Sequence, residues 1–217
     1  MAFAAQTMRK LPIFILVSCS SYEAIDSIRT GLRFLHSELM QDPSAIECCE
    51  LGVIVFGDDA WQVTKLCPVD AFKPPILDPA PQGGSTLGAA FSTLRAAISR
   101  DVKAKTGTFA GDFRPIVFVI TDSDPRDDWR SALTNLKTLD SRMPQIALLV
   151  CGSDVTQPFV NAVRQDVTVL EMREMTPDTF TDAFKQLFRY GGLDADAEQR
   201  ARSRCVFQFY NVPNSSF

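Results

Sequence analysis

Three short segments carry the oxygen-rich side chains from which chemistry could be built: VSCSSY, GGSTLG and ITDSDP. They hold Ser18 and Ser20, Ser85 and Thr86, and Asp122 and Asp124. Hydroxyls and carboxylates drawn together from separate segments suit Mg²⁺ or Mn²⁺. Such hard cations take oxygen ligands and keep positions open for water or a partner's carboxylate. A different chemistry is also open, because Asp122 and Asp124 form a DxD pair that could hold a metal for phosphoryl or glycosyl transfer. A third reading needs no ligand at all. Asp124, Asp127 and Asp128 stand before a helical pattern, where carboxylates satisfy free amides and oppose the helix dipole, and Ser85 would serve as an N-cap.

The sequence weighs against most catalytic schemes. GGSTLG lacks the lysine of a phosphate-binding loop. A haloacid-dehalogenase-type phosphatase would carry DxDxT after its first strand, whereas this pair follows a later one and is succeeded by Pro125 and Arg126. The single histidine, His36, lies in the apolar pattern GLRFLHSELM and reads as structural or solvated, which removes support for zinc and triad chemistry. The chain carries a formal charge of −4 with no basic block, so nucleic acid is not an expected partner.

The elements that must position these residues alternate along the chain. LPIFILV, LGVIVF, RPIVFVITD and QIALLVC are short β-rich runs apolar on both faces, as in parallel strands covered by helices on each side. Helical periodicity predicts helices over Tyr22 to Met40, Leu87 to Ile98, Trp129 to Leu139, Phe159 to Arg164 and Pro177 to Phe188. ELGVIVFG and AWQVTKL, joined by a tight polar turn, predict an antiparallel edge strand. The long stretch CPVDAFKPPILDPAPQGGS reads as a Pro-rich surface loop. In an open α/β sheet ligands gather beyond the carboxyl ends of the strands, near the point where strand order reverses, and all three oxygen-rich segments fall on that edge.

Composition agrees with a folded domain: 217 residues, 46% hydrophobic and 22% charged, can bury a continuous core. The expected division is one domain over 1–191 and a tail over 192–217, where LDADAEQRARSR and CVFQFYNV fit no further βα unit. That tail reads either as an ordered segment packing on the domain or as a partner-binding segment. The start, MRKLPIFILVSC, imitates a bacterial lipoprotein signal, but Leu11 to Val17 reads better as a buried central strand. Six cysteines without a CxxC pair point to a reducing, cytoplasmic setting, and no stretch approaches the roughly 20 apolar residues of a membrane span.

The order of elements and the phrases LGVIVFG, FKPP, GGSTLGAAF, RPIVFVITDSDP and DDW resemble bacterial von Willebrand factor A (VWA) domains of the tellurite-resistance type. The resemblance runs from Pro12 to Phe188. It implies a three-layer Rossmann-like α/β fold, with a mostly parallel central sheet, one antiparallel edge strand and helices on both faces. It also implies a metal-ion-dependent adhesion site of pattern Asp-x-Ser-x-Ser, a Thr in the glycine loop and an Asp after the fourth strand. On that pattern Ser20, Ser85 and Asp122 are the matching metal positions, with Ser18, Tyr22, Thr86 and Asp124 as flanking binding residues.

The departures matter more than the matches. Ser18 stands where the first Asp belongs and Tyr22 replaces the second Ser, so a strong carboxylate ligand is lost. A unit charge about 4 Å from another contributes roughly 4 kcal/mol at an effective dielectric near 20, and a dication doubles it before desolvation. The expectation is a degenerate site holding Mg²⁺ or Mn²⁺ weakly or not at all, with Asp124 compensating in part for Ser18. The implied function is a non-catalytic protein-binding adaptor, contacted through the loop Asp70 to Ser85 and the rim of Ser20, Tyr22 and Asp122. The resemblance points to a PP2C-type phosphatase and a Ser/Thr kinase as partners in a stress or tellurite-resistance system.

Overall fold

The computed structural model describes residues 8–19, 22–78 and 85–172, with 176, 178, 179 and 182. The predicted tail and most of the helix predicted over Pro177 to Phe188 lie outside the described residues, as does Ser20.

Strand β1, Leu11–Ser18, is buried at all eight positions, because it has a parallel strand on each side and helices over each face. It pairs with β2, Cys49–Phe56, from Leu11 opposite Cys49 to Ser18 opposite Phe56. On its other side it pairs with β4, Ile116–Ser123, from Ile13 opposite Ile116 to Val17 opposite Ile120. Alternation then divides its side chains between two layers. Ile13, Ile15 and Val17 enter one apolar cluster, and Phe14 and Leu16 enter the other.

The whole sheet runs β3-β2-β1-β4-β5-β6, where β3 is Ala60–Pro68, β5 Gln145–Asp154 and β6 Thr168–Met172. Among the described strands only β3 is antiparallel to its neighbour. Its hairpin with β2 turns over Gly57, Asp58 and Asp59, with Gly57 N donating to Asp59 O at 2.9 Å, one residue longer than the polar pair suggests. Strand β6 was not foreseen: it is short, lies at the edge and is only partly buried, so it lacks the apolar run that marks the central strands.

Helix α1, Tyr22–Met40, buries Ile25, Ile28, Leu32, Leu35 and Leu39 on one stripe. A second helix, α2, Pro43–Cys48, follows at once. Asp42 accepts from Ser44 N at 2.8 Å and Pro43 opens the first turn. These two helices cover the face that carries Ile13, Ile15 and Val17. The opposite face is covered by α3, Leu87–Asp101, α4, Trp129–Lys137, and α5, Gln157–Val163. The result is the expected three-layer α/β architecture. Among the described residues no helix is long and apolar enough to cross a membrane.

The Pro-rich stretch is not a free surface loop over its described part. Val69, Phe72 and Leu77 are buried in the α1 layer. His36 of α1 holds the Val69 carbonyl through Nε2 at 2.9 Å and meets the Phe72 ring at 5.4 Å, while Arg29 donates to Leu77 O at 2.5 Å. His36 is therefore structural. Ile76, 82% exposed, is the apolar side chain this loop leaves in solvent.

At the opposite, amino end of the sheet, Asp112 is buried and accepts from the amides of Lys10 at 3.1 Å and Lys103 at 2.8 Å. It joins the entry to β1 with the exit of α3. Asp112→Ala leaves both amides without that acceptor and is expected to cost about 2–3 kcal/mol in urea unfolding. A loss below about 0.5 kcal/mol would show that the junction holds without the carboxylate.

Candidate functional site

Strand order reverses between β1 and β4: from β1 the chain moves outward to β2, and from β4 outward to β5. Loops leaving these two strands diverge to opposite faces, which opens a crevice at their carboxyl ends. Ser18 ends β1 and Asp122 lies one residue from the end of β4. Ser18 is buried, and its Oγ donates to Asp122 Oδ1 at 3.4 Å, longer than an ordinary hydroxyl bond. The sequence-predicted pair is thus brought together.

A local irregularity flanks Asp122. The β4–β5 register passes from Thr121 opposite Val150 to Ser123 opposite Asp154, so β5 uses two more residues than β4 over this step. Gly152 absorbs the excess at φ +108°, and a Cβ there would lie 3.3 Å from the Asp122 carbonyl. The extra residues make a bulge in β5, beside the end of β4 that carries Asp122. Thr121 Oγ1 donates to Ser123 O at 2.9 Å and braces the end of β4.

Ser85 and Thr86 approach the crevice from the α3 side. Thr86 N donates to Gly57 O at 3.0 Å, and Ser85 O accepts from Arg126 N at 2.8 Å, so the segment is fixed between the β2–β3 turn and the β4–α4 loop. The hydroxyls of both residues are buried and have no hydrogen-bond partner among the described residues. Ser85 as a whole is 1% exposed.

Neither hydroxyl caps α3, contrary to the expectation for Ser85. The cap comes from Asp127, whose carboxylate accepts from Gly88 N and Ala89 N, both at 2.9 Å. Gly88 is required for this approach, since a Cβ would fall 2.8 Å from Asp127 Oδ2 and 3.0 Å from Asp128 O. Asp128 caps α4, accepting from Ser131 N at 3.1 Å, and its bonds with Ser131 hold its carboxyl below the ordinary range. The capping reading of these aspartates is therefore right in kind, although Asp127 serves a different helix from the one it precedes.

Asp124 is likewise engaged. Its Oδ1 accepts from Thr156 N at 2.8 Å and its Oδ2 from Thr156 Oγ1 at 2.6 Å, tying the β4–α4 loop to the start of α5. It thus holds a helix entry. Tyr22 is the first residue of α1. Among the described residues, no three His, Cys, Asp or Glu side chains are grouped closely enough to hold a metal ion.

Two residues that the sequence did not single out belong to this site. Cys19, buried behind Ser18, has its thiol pushed up to about 11, first by burial and then by the negative charges of Asp122 and Asp78. Asp78 is brought there by the folded-back loop. The apolar residues Val69, Phe72 and Leu77 within that Pro-rich stretch were the signal that it packs.

No protein-family model matches the sequence, and no curated protein matches it. Solved structures match by fold. A von Willebrand factor type A protein from Catenulispora acidiphila aligns at 15% identity and TM-score 0.56, covering 83% of this chain and 42% of its own. The SpRpn10 VWA domain aligns at 12% and 0.54, covering 86% of this chain and all of its own. Proximal thread matrix protein 1 from the mussel byssus aligns at 12% and 0.58 over 82% of this chain. This chain spans less than half the length of the mussel and Catenulispora proteins, at 46% and 42%. At such identities the likeness establishes the fold: this is the three-layer α/β architecture of VWA domains.

Two buried thiols, Cys19 at this site and Cys49 at the amino end of the sheet, give the fold a pH signature. Cys19 is raised to about 11 and Cys49 to about 12, both chiefly by burial. In the unfolded chain a thiol ionises near 8.5, so the unfolded state releases protons first as pH rises. Stability is full below that value and falls as pH climbs towards 11. The urea midpoint should drop over this range, and Cys19→Ala should make the drop shallower. An unchanged slope in Cys19→Ala would mean the thiol is not held protonated.

Proposed function

We propose that the chain is a non-catalytic protein–protein interaction module of VWA type that works without a tightly held metal. The carrying observation is Ser18 at the end of β1: a neutral, buried hydroxyl faces Asp122 where the adhesion-site pattern requires a carboxylate. With Asp122 as the single carboxylate at the matching positions, the donor set lacks the second negative charge that would favour a dication. Mg²⁺ or Mn²⁺ is expected to bind weakly or not at all. Against the enzyme reading, both oxygens of Asp124 accept bonds from Thr156, a structural role that explains this carboxylate without a metal. Recognition then rests on the surface around the crevice and on Ile76 and its neighbours in the packed loop.

The finer reading follows from the sequence resemblance. The partners are a PP2C-type phosphatase and a Ser/Thr kinase of a bacterial stress or tellurite-resistance system, acting in the cytoplasm.

Calorimetric titration tests the metal side. The unaltered chain should show no saturable Mg²⁺ binding below about millimolar. Ser18→Asp combined with Tyr22→Ser, which restores the pattern, should tighten binding by at least about tenfold. Micromolar binding by the unaltered chain that Asp122→Ala abolishes would contradict the reading. Partner capture from bacterial lysate, run with Mg²⁺ and with EDTA, tests the adaptor side. The same phosphatase or kinase should be recovered in both conditions, and recovery in Mg²⁺ alone would mean that the metal is needed.

A further inference from the structure

We infer that Cys205, which opens the C-terminal stretch CVFQFYNV, closes a disulfide with Cys48, and that this tether lays residues 206–212 over the uncovered side of β3. The inference goes beyond the interaction-module reading and does not depend on it.

The first observation is chemical. Cys48 is disulfide-bonded. Cys19, Cys49, Cys67 and Cys151 are free thiols, and of the six cysteines in the sequence that leaves Cys205 as the partner within the chain. The bond forms when the two thiols pass two electrons and two protons to glutathione disulfide, which leaves as two glutathione thiols. Cys49 Sγ lies 3.8 Å from Cys48 Sγ, close enough to scramble the bond by exchange. Burial pushes the Cys49 thiol up to about 12, so at neutral pH it supplies almost no attacking thiolate. In a reducing cytoplasm the glutathione pool reverses the reaction and frees the segment.

The second observation is a bare apolar face. Along β3 the exposed positions Trp61, Val63 and Lys65 alternate with half-buried ones. Trp61 stands opposite Val55, and residues directly opposite on paired strands share a face. Val55 packs in the layer of α1 and α2, so Trp61 belongs to that side. There Trp61 is 50% exposed and Val63 37%, although their neighbours on β2 are fully covered.

The third observation is reach. Cys48 ends α2 and packs in the same layer as Cys67, which lies at the far end of β3 from Trp61. From Cys67 to Trp61 the strand runs about 20 Å, and residues 206–212 extend over about 23 Å. A segment anchored at Cys48 thus matches the length of the bare face. The approach to the anchor is also long enough: β6 and β2 are four strand spacings apart, about 19 Å, and the stretch from Asp182 to Cys205 can span about 75 Å. The occupant is chemically suited as well, since Val206, Phe207, Phe209, Tyr210 and Val212 supply apolar and aromatic side chains for an indole and an isopropyl group.

The test equilibrates the full chain with glutathione disulfide, alkylates free thiols under denaturing conditions and maps the peptides by mass spectrometry. Four alkylated cysteines and a linked pair holding Cys48 and Cys205 are expected. Six alkylated cysteines, glutathione adducts on Cys48 or Cys205, or Cys48 linked to a different cysteine or to a second chain would overturn the tether. Acrylamide quenching reads the docking half, because Trp129 is 5% exposed and the signal comes from Trp61. Quenching should rise roughly twofold on reduction, and be equally high with or without reductant in Cys205→Ser. Phe207→Ser combined with Phe209→Ser should keep the linked pair and still raise quenching. Equal quenching in the oxidised chain, the reduced chain and these variants would show that the segment does not cover β3.

Discussion

The complete burial of β1 governs the rest of the molecule. A strand paired in parallel on both edges and covered on both faces has no freedom of register. Shifting it by one residue would exchange Ile13, Ile15 and Val17 with Phe14 and Leu16 between two differently shaped layers. The same constraint fixes where β1 ends. Because Ser18 pairs with Phe56 and lies beside the end of β4, the loops must diverge there, and the crevice follows from the strand order.

Around the crevice, side chains that could serve a ligand have largely been given to the scaffold. Asp127 closes α3, Asp128 closes α4 and Asp124 fixes the entry to α5. Each is a charge-assisted bond to backbone amides that would otherwise lack partners. What this edge offers a partner is its outer surface and the charge that the aspartates project. An edge whose aspartates are tied to helix ends in this way fits the proposed recognition by surface complementarity.

The sequence was most informative where one physical pattern acted alone. Both-face apolar runs gave β1, β2, β4 and β5, and the α1 stripe from Ile25 to Leu39 gave a helix whose boundaries, Tyr22–Met40, agree with the structure. It was least informative where structure is set by distant contacts. Helix α2 is a single capped turn and a half, too short to show periodicity, although Asp42-Pro43 is a start signal. Strand β6 is half-exposed and gains its identity from pairing with β5. The transfer of Asp127 to α3, the bonds of Asp124 to Thr156 and the burial of Leu77 under Arg29 join residues far apart in the chain, and no local spacing encodes them. Ser20 and the 192–217 tail lie outside the described residues.

The central claim is that partners dock at the carboxyl edge of the sheet without a bridging metal. Cross-linking mass spectrometry on the complex captured in EDTA addresses both halves of it at once. The account predicts cross-links from carboxylates of this edge, Asp58, Asp78 and Asp154, to lysines of the partner. Cross-links confined to the amino end of the sheet or to the β3 edge around Trp61, or a complex that forms only when Mg²⁺ is supplied, would contradict it.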